Sequence, residues 1–255
     1  MIRRKLKTAT GLVKGYIQSQ DDLWGRYVEL RGNVVEIGGL RFSVNSPAIR
    51  TRDKARFLFD RYERPERIIV ADYLASSLPV IELGGNIGVV SCVANRRLTD
   101  PSKHVVVEAN ANVLPLLEAN RERNSCAFKV VHAALGYGET VDFFVSDDAL
   151  ASSAVASAER LVKVPATSLR KLIDDAGFSP CTLLCDIEGS EAEMVTNELD
   201  TLVQHVAYFF LETHAKIVGP ESVAAMLDRL TRAGFKTLFS RWSNVALVNT
   251  ALVPQ

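Results

Sequence analysis

The chain has 255 residues, 47% hydrophobic and 24% charged, with 30 Lys+Arg balancing 30 Asp+Glu. That is the make-up of an ordinary soluble globular protein, long enough for one α/β domain and a modest extension. No apolar run approaches the roughly 18 residues that span a bilayer, and the basic start (Arg3, Arg4, Lys5, Lys7) lacks the apolar stretch and cleavage site of a secretory signal. Four scattered cysteines, Cys92, Cys126, Cys181 and Cys185, make neither a disulfide framework nor a zinc site, so reduced thiols in a cytoplasm are expected.

Residues 1–72 carry 15 Lys+Arg against 9 Asp+Glu, whereas residues 73–255 carry 15 against 21. A basic front of this kind either meets an anionic surface or is a plain solvated face. Nucleic acid is not expected as a partner, because no RNA-binding or helix-turn-helix signature is present and aromatics do not interleave the basic residues. Ile2, Leu6, Val13 and Ile17 recur at near-helical spacing, which predicts a short amphipathic helix that docks on the body or lies on a membrane surface. From Tyr27 to Val44 the runs Tyr27–Arg31, Val34–Ile37 and Leu40–Val44 read as strands, punctuated by Gly32-Asn33 and Gly38-Gly39, and predict a small antiparallel meander. Helices follow at about 53–61 and 66–75. Residues 1–56 are therefore read as an extension and residues 57–255 as the main domain.

From Leu78 onward strands alternate with helical segments. Strands are expected at Val80–Leu83, His104–Glu108, Phe128–His132, Thr182–Asp186 and Val206–Leu211, with an extra strand at Val141–Val145 on an excursion reaching Val164. Helices are expected at 89–97, 113–123, 168–176, 191–198 and 221–233, the last stopped by Gly234. Strands at Lys236–Ser240 and Val245–Asn249 close the chain as a hairpin. The alternation implies an α/β, doubly wound, mostly parallel seven-stranded sheet, Rossmann-like, with the first and fourth strands side by side and a crevice at their C-terminal ends.

Three groups of residues stand at those strand ends. In Val80-Ile81-Glu82-Leu83-Gly84-Gly85-Asn86-Ile87-Gly88 a strand runs through glycines into a helix, and Gly84 and Gly88 let backbone approach a ligand. Glu82 is placed to accept from an ammonium, and Glu108, twenty residues beyond Gly88, to accept from two ribose hydroxyls. The spacing lacks the G-x-G-x-x-G of a dinucleotide site, and an acid inside the strand repels phosphate. S-adenosylmethionine, a cofactor without phosphates, fits better than NAD. The second group, Asp186, Glu188 and Glu191, crowds three acids into six residues at a strand-to-helix turn, for ligand contact or for helix capping. The third is Glu212 with His214, where the imidazole can accept a hydroxyl proton near neutral pH and Glu212 can orient it or be the base itself. No further ligand cluster stands beside Asp186 and Glu188, so no metal is expected.

Together these residues resemble the FkbM family of S-adenosylmethionine-dependent methyltransferases. Glu82 to Gly88 with Ser91 resembles the family's opening motif, Val107-Glu108-Ala109-Asn110 its ribose-binding strand end, and His132-Ala133-Ala134-Leu135-Gly136 its third-strand end. Ser152-Ser153 is similar to the family's serine pair, Asp186 to Glu191 to its Asp-x-Glu-Gly-x-Glu signature, and Glu212 with His214 to its acid-x-His; Arg61-Tyr62-Glu63 resembles the helix ahead of the first strand. The likeness spans about 57–248. Leu184 stands where the family often has lysine, and Glu82 where Asp is commoner.

The resemblance implies methyl transfer to a hydroxyl of a small molecule, sugar or glycan. Glu82, Gly84, Gly85, Asn86, Gly88, Glu108, Ala109, His132, Ala133 and Asp186 would surround the cofactor, His214 or Glu212 would serve as base, and Asp186 with Glu188 would position the acceptor. The competing readings are a noncatalytic cofactor-binding module that regulates a partner and an NAD-dependent oxidoreductase. The Ala/Ser-rich stretch Ala149–Ala158 is expected to form a lid over the crevice.

Overall fold

The structure, a computed structural model, describes residues 20–145 and 160–253. The apolar pattern from Ile2 to Ile17, the pair Ser152-Ser153 and the expected lid at Ala149–Ala158 lie outside the described residues.

The first described element is a helix over residues 20–30 (α1), not the strand expected at Tyr27–Arg31. Gly32 and Asn33, both at positive φ, end it: Asn33 N donates to Val28 O at 2.9 Å and Gly32 N to Glu29 O at 3.0 Å. Such a left-handed cap satisfies the last carbonyls of a helix, so the pair read as a hairpin turn is a helix stop. The meander is thereby reduced to a two-stranded hairpin, β1 (Val34–Ile37) and β2 (Leu40–Ser43), turned by Gly38-Gly39. A 3-10 turn at Thr51–Asp53 leads into α2 (Lys54–Leu58), and α3 spans Arg64–Tyr73.

The main sheet follows the expected alternation: β3 (Val80–Leu83), α4 (Val89–Asn95), β4 (His104–Glu108), α5 (Leu114–Arg123) and β5 (Lys129–His132). The excursion folds into a small second sheet of β6 (Ala134–Leu135), β7 (Thr140–Val145) and β8 (Arg160–Thr167), in which β8 pairs with both others. Then come α6 (Leu169–Ala176), β9 (Cys181–Cys185), α7 (Glu191–Asn197), α8 (Leu199–His205), β10 (Val206–Glu212), the short α9 (Ala215–Val218), α10 (Pro220–Arg232), β11 (Phe235–Arg241) and β12 (Asn244–Asn249). Helices α8 and α9 were not legible in the sequence. Both are short, and α8 follows α7 after the single residue Glu198.

The seven strands lie in the order β11-β12-β10-β9-β3-β4-β5, parallel except for the terminal pair, where β12 runs antiparallel to β10 and β11. This is the expected doubly wound α/β sheet, closed by an antiparallel hairpin. Strands β3, β4 and β9 are buried along their whole length, as a sheet covered on both faces requires. The chain passes from β3 outward to β4 and β5, then returns to β9 on the other side of β3, which opens a crevice at the C-terminal ends of β3 and β9. The N-terminal elements share a core with the sheet: Val28, Val35, Phe42 and Phe57 pack with Ile87, Cys92, Leu117 and Phe128. Among the described residues no helix is long and apolar enough to cross a membrane.

Candidate functional site

Two cavities flank the switch point and share Leu83, Gly84 and Asp186. The larger, about 180 Å³, is walled by Val107, Val113, Ala133, Leu135 and residues 141–144 of β7, with Asn86, Glu108, Ala109, Asn110, Glu188 and Ser190 supplying polar groups. The smaller, about 40 Å³, is lined by the polar residues Glu63, Glu66, Glu82, Glu212 and Asn244 and by the apolar Val70, Val90, Leu184 and Phe210.

Glu108 ends β4 at the larger cavity, and its carboxylate is fixed at both oxygens. Oε2 accepts from the Asn86 backbone amide at 2.7 Å and Oε1 from the Asn110 amide at 2.6 Å. Burial pushes its pKa up while these amides, together with that of Ala109, pull it down, and the net direction is upward. Of the other residues read as cofactor contacts, Asn86, Ala109 and Ala133 line this cavity with Glu108. His132 does not; it is exposed, with Nε2 3.2 Å from the Ala109 carbonyl oxygen.

The glycines serve packing as much as approach. A Cβ on Gly84 would fall 1.8 Å from the Asp186 carbonyl oxygen, one on Gly85 2.3 Å from Val106 Cγ1, and one on Gly88 2.7 Å from Leu117 Cδ1. Gly84 lines both cavities, Gly85 only the smaller and Gly88 neither. The reading of Gly88 as a residue that lets backbone approach a ligand is corrected: the space beside it holds α5.

Glu82 is also placed differently from the expectation. It is buried, Ser91 Oγ donates to Oε1 at 2.8 Å, and His104 Nε2 lies 3.0 Å from Oε2. Both oxygens are engaged inside the protein, on the side of the smaller cavity, so the carboxylate is not presented to a ligand ammonium in the larger one.

The acids after β9 and the histidine after β10 converge. His214 Nδ1 lies 2.9 Å from Glu191 Oε1, while Nε2 lies 3.4 Å from Asp186 Oδ1 and 3.3 Å from Glu188 Oε2. Glu191 is buried, and the same Oε1 accepts the backbone amides of Ile187 and Gly189. It caps the turn and orients the imidazole together. The orienting role considered for Glu212 thus falls to Glu191, because Glu212 instead accepts from Ser243 Oγ at 2.7 Å and faces Glu66. Burial opposes the His214 imidazolium, but the Glu191 hydrogen bond and the surrounding carboxylates outweigh it and raise the pKa above 6.5. Burial, followed by repulsion from Glu212 and Glu188, raises Asp186 well above the usual carboxylate range. Glu188 is pushed up to about 7, mainly by burial, against the pull of His214. One ligand atom each from Asp186, Glu191 and His214 lie within 4.8 Å of one another, a set able to hold a divalent cation. The sequence showed no third ligand; folding brings Glu191 and His214 to Asp186.

Glu63 and Glu66 were not read as site residues, although Glu63 belongs to the segment Arg61-Tyr62-Glu63 noted ahead of the first strand. They come from the start of α3, remote in sequence from the strand ends, and Glu63 sits at left-handed φ as the helix cap. Burial and neighbouring acids push Glu63 to about 8, and burial with the Glu212 carboxylate pushes Glu66 to about 7. Two acids a helical turn apart, flanking the start of a helix that precedes the first strand, were the available signal.

No family model matches the chain, and no curated protein matches it. Among solved structures it is similar to a protein of the NADB-Rossmann superfamily from Streptococcus agalactiae, at 11% identity over 72% of this chain and 65% of that one, with a TM-score of 0.43. It is similar to a ribosomal protein L11 methylase from Lactobacillus delbrueckii subsp. bulgaricus, at 10% identity over 74% and 77% of the two chains, TM-score 0.43. An O-methyltransferase from Bacillus cereus in complex with SAH matches at 12% identity over 72% and 78%, TM-score 0.44. The chain spans just under two thirds of the Streptococcus protein. These likenesses concern the fold alone.

Proposed function

We propose that the chain is an S-adenosylmethionine-dependent O-methyltransferase of the FkbM type, acting in the cytoplasm on a hydroxyl of a sugar, glycan or natural product. The observation that carries this reading is the charge of the larger cavity. Its ionisable lining is Glu108, Asp142, Asp186 and Glu188, with no lysine or arginine among the described residues. Burial, with mutual repulsion at Asp186 and Glu188, raises the pKa values of these buried acids; a pyrophosphate would add to the repulsion, whereas a sulfonium with an ammonium favours their ionised forms. The signature Asp186 to Glu191 and the pair Glu212-x-His214 are the residues that point to the FkbM type.

Glu108, immobilised by two backbone amides, is the group to accept both ribose hydroxyls. Val107, Val113, Ala133 and Leu135 wall an apolar slot for the adenine ring. The cofactor, when bound, supplies a methyl group on a sulfonium leaving group. Asp186 and Glu188 line the cavity and would position the acceptor hydroxyl, which would provide much of the rate by orientation. His214 Nε2, 3.3 Å from Glu188 Oε2, would take up the acceptor's hydroxyl proton by way of Glu188. His214 lines neither cavity and stands behind the two acids, so it acts from the second rank.

Calorimetric titration with S-adenosylmethionine and, separately, NAD tests the reading. Micromolar binding of S-adenosylmethionine that Glu108→Ala weakens tenfold, about 1.4 kcal/mol, is the expected result. No binding, or a preference for NAD, overturns it.

A further inference from the structure

Helix α1 turns an apolar side away from the protein. Its packed side is Gly25, where a Cβ would fall 1.8 Å from the Thr51 carbonyl oxygen, and Val28, which is 1% exposed. With about 100° between successive residues, Leu23, Tyr27 and Leu30 fall on the opposite side, where a surface helix carries its polar residues. They are 60%, 42% and 87% exposed. Trp24, 39% exposed, flanks them edge-on to Tyr27 and to Phe59, so the aromatic surface continues onto the end of α2.

The rim is basic. Arg26, Arg31 and Arg61 are exposed; the Arg31 guanidinium lies 5.9 Å from the Tyr27 ring and that of Arg61 4.9 Å from the Phe59 ring. Of the nearby acids, Glu29 is held by Thr51 and Lys54, and Asp21 and Asp22 sit at the N-terminal end of the described helix. The sequence immediately before it, residues 1–19, contains Arg3, Arg4, Lys5, Lys7 and Lys14 and no acid, with Ile2, Leu6, Leu12, Val13 and Ile17 among them.

We propose that the face formed by Leu23, Trp24, Tyr27 and Leu30 docks on an anionic lipid surface. The leucines enter the boundary between headgroups and acyl chains, Trp24 and Tyr27 lie at that boundary, and the arginines meet lipid phosphates. Charge complementarity selects this occupant. Pairing the face with a second copy would bring two rims of Arg26, Arg31 and Arg61 together, and nucleic acid supplies phosphates but no apolar phase for Leu23 and Leu30.

The test is co-sedimentation of the full chain with vesicles of phosphatidylcholine alone and of phosphatidylcholine with phosphatidylglycerol. The expected result is partition onto the anionic vesicles, with a blue shift of Trp24 fluorescence in a Trp242→Phe background. Leu23→Glu with Leu30→Glu is expected to reduce partition at least tenfold. Both leucines are exposed, so an unchanged melting curve will show that the double variant is folded. Absence of partition onto anionic vesicles overturns the proposal, as does equal partition of the double variant. A dimer that the double variant splits, or retention on duplex DNA, in a protein that ignores vesicles would assign the face to those partners instead.

Discussion

His214 meets Glu191 through Nδ1 at 2.9 Å, and the same Glu191 oxygen accepts the Ile187 and Gly189 amides that shape the turn after β9. One carboxylate therefore sets both the loop that carries Asp186 and Glu188 and the orientation of the imidazole behind them. With Nδ1 engaged, Nε2 is the nitrogen turned toward the crevice acids.

This linkage gives a pH prediction. The Glu191 hydrogen bond favours the imidazolium, so proton acceptance by His214 requires a pH above its raised pKa, and kcat/KM should rise with an inflection above 6.5. Glu191→Gln keeps an acceptor but removes the charge, and should move the inflection down by about one unit. S-adenosylmethionine affinity, measured alongside by calorimetry, should stay within about twofold. An unmoved inflection would remove His214 from the role of base.

The Glu82–His104 pair predicts a stability effect independent of turnover. Both side chains are buried, and His104→Phe leaves a buried carboxylate with Ser91 as its remaining partner. Leaving a buried acceptor without its partner costs about 1–3 kcal/mol. Removing the carboxylate as well, in Glu82→Leu with His104→Phe, should recover more than half of that loss in urea denaturation.

Gly84→Ala should cost more than about 3 kcal/mol, because its Cβ would collide with the Asp186 carbonyl at a φ of +91°. Gly177, with φ +68° but open space around it, is the control: Gly177→Ala should cost about 1 kcal/mol. Equal losses in denaturant titrations would show that backbone conformation, not contact with Asp186, makes glycine necessary at 84.

Glu66 and Glu63 give a stability slope of opposite sign to ordinary acid denaturation. Their folded pKa values, about 7 and about 8, lie above the unfolded value near 4.5. Their contribution is thus fully present below about pH 4.5 and is lost as pH rises through 7 to 8. Glu66→Gln should therefore raise Tm at about pH 8 relative to the wild type, with a smaller difference at about pH 5.5. A gain that is independent of pH would contradict the assignment.

The sequence exposed the strand ends well. Every strand of the main sheet lies within a residue or two of its expected position, because buried β-branched runs such as His104–Glu108 carry a strong local signal. It misjudged Tyr27–Arg31, where alternating apolar and polar residues fit a strand as readily as a short helix; Gly25 against Thr51 and the Gly32-Asn33 cap decide for the helix. At the site, Asp186 to Glu191 was visible as a motif, whereas its wiring was not. Whether Glu191 or Glu212 reaches His214, and whether Glu82 is free or held by Ser91 and His104, depends on side chains that meet only after the sheet is assembled.

Asn120 in α5 and Asn124, which caps that helix, illustrate how far such contacts extend. Asn120 Oδ1 accepts from Ser43 N and its Nδ2 donates to Ser43 O, while Asn124 does the same with Arg41 N and O. Side-chain amides thus take the place of a neighbouring strand along β2, closing an edge that would otherwise be a template for intermolecular pairing. A chain severed after residue 56 would uncover these buried amides together with the apolar faces of Cys92, Leu117 and Phe128. The loss should appear as self-association of the remainder, making the small hairpin a built-in guard against aggregation.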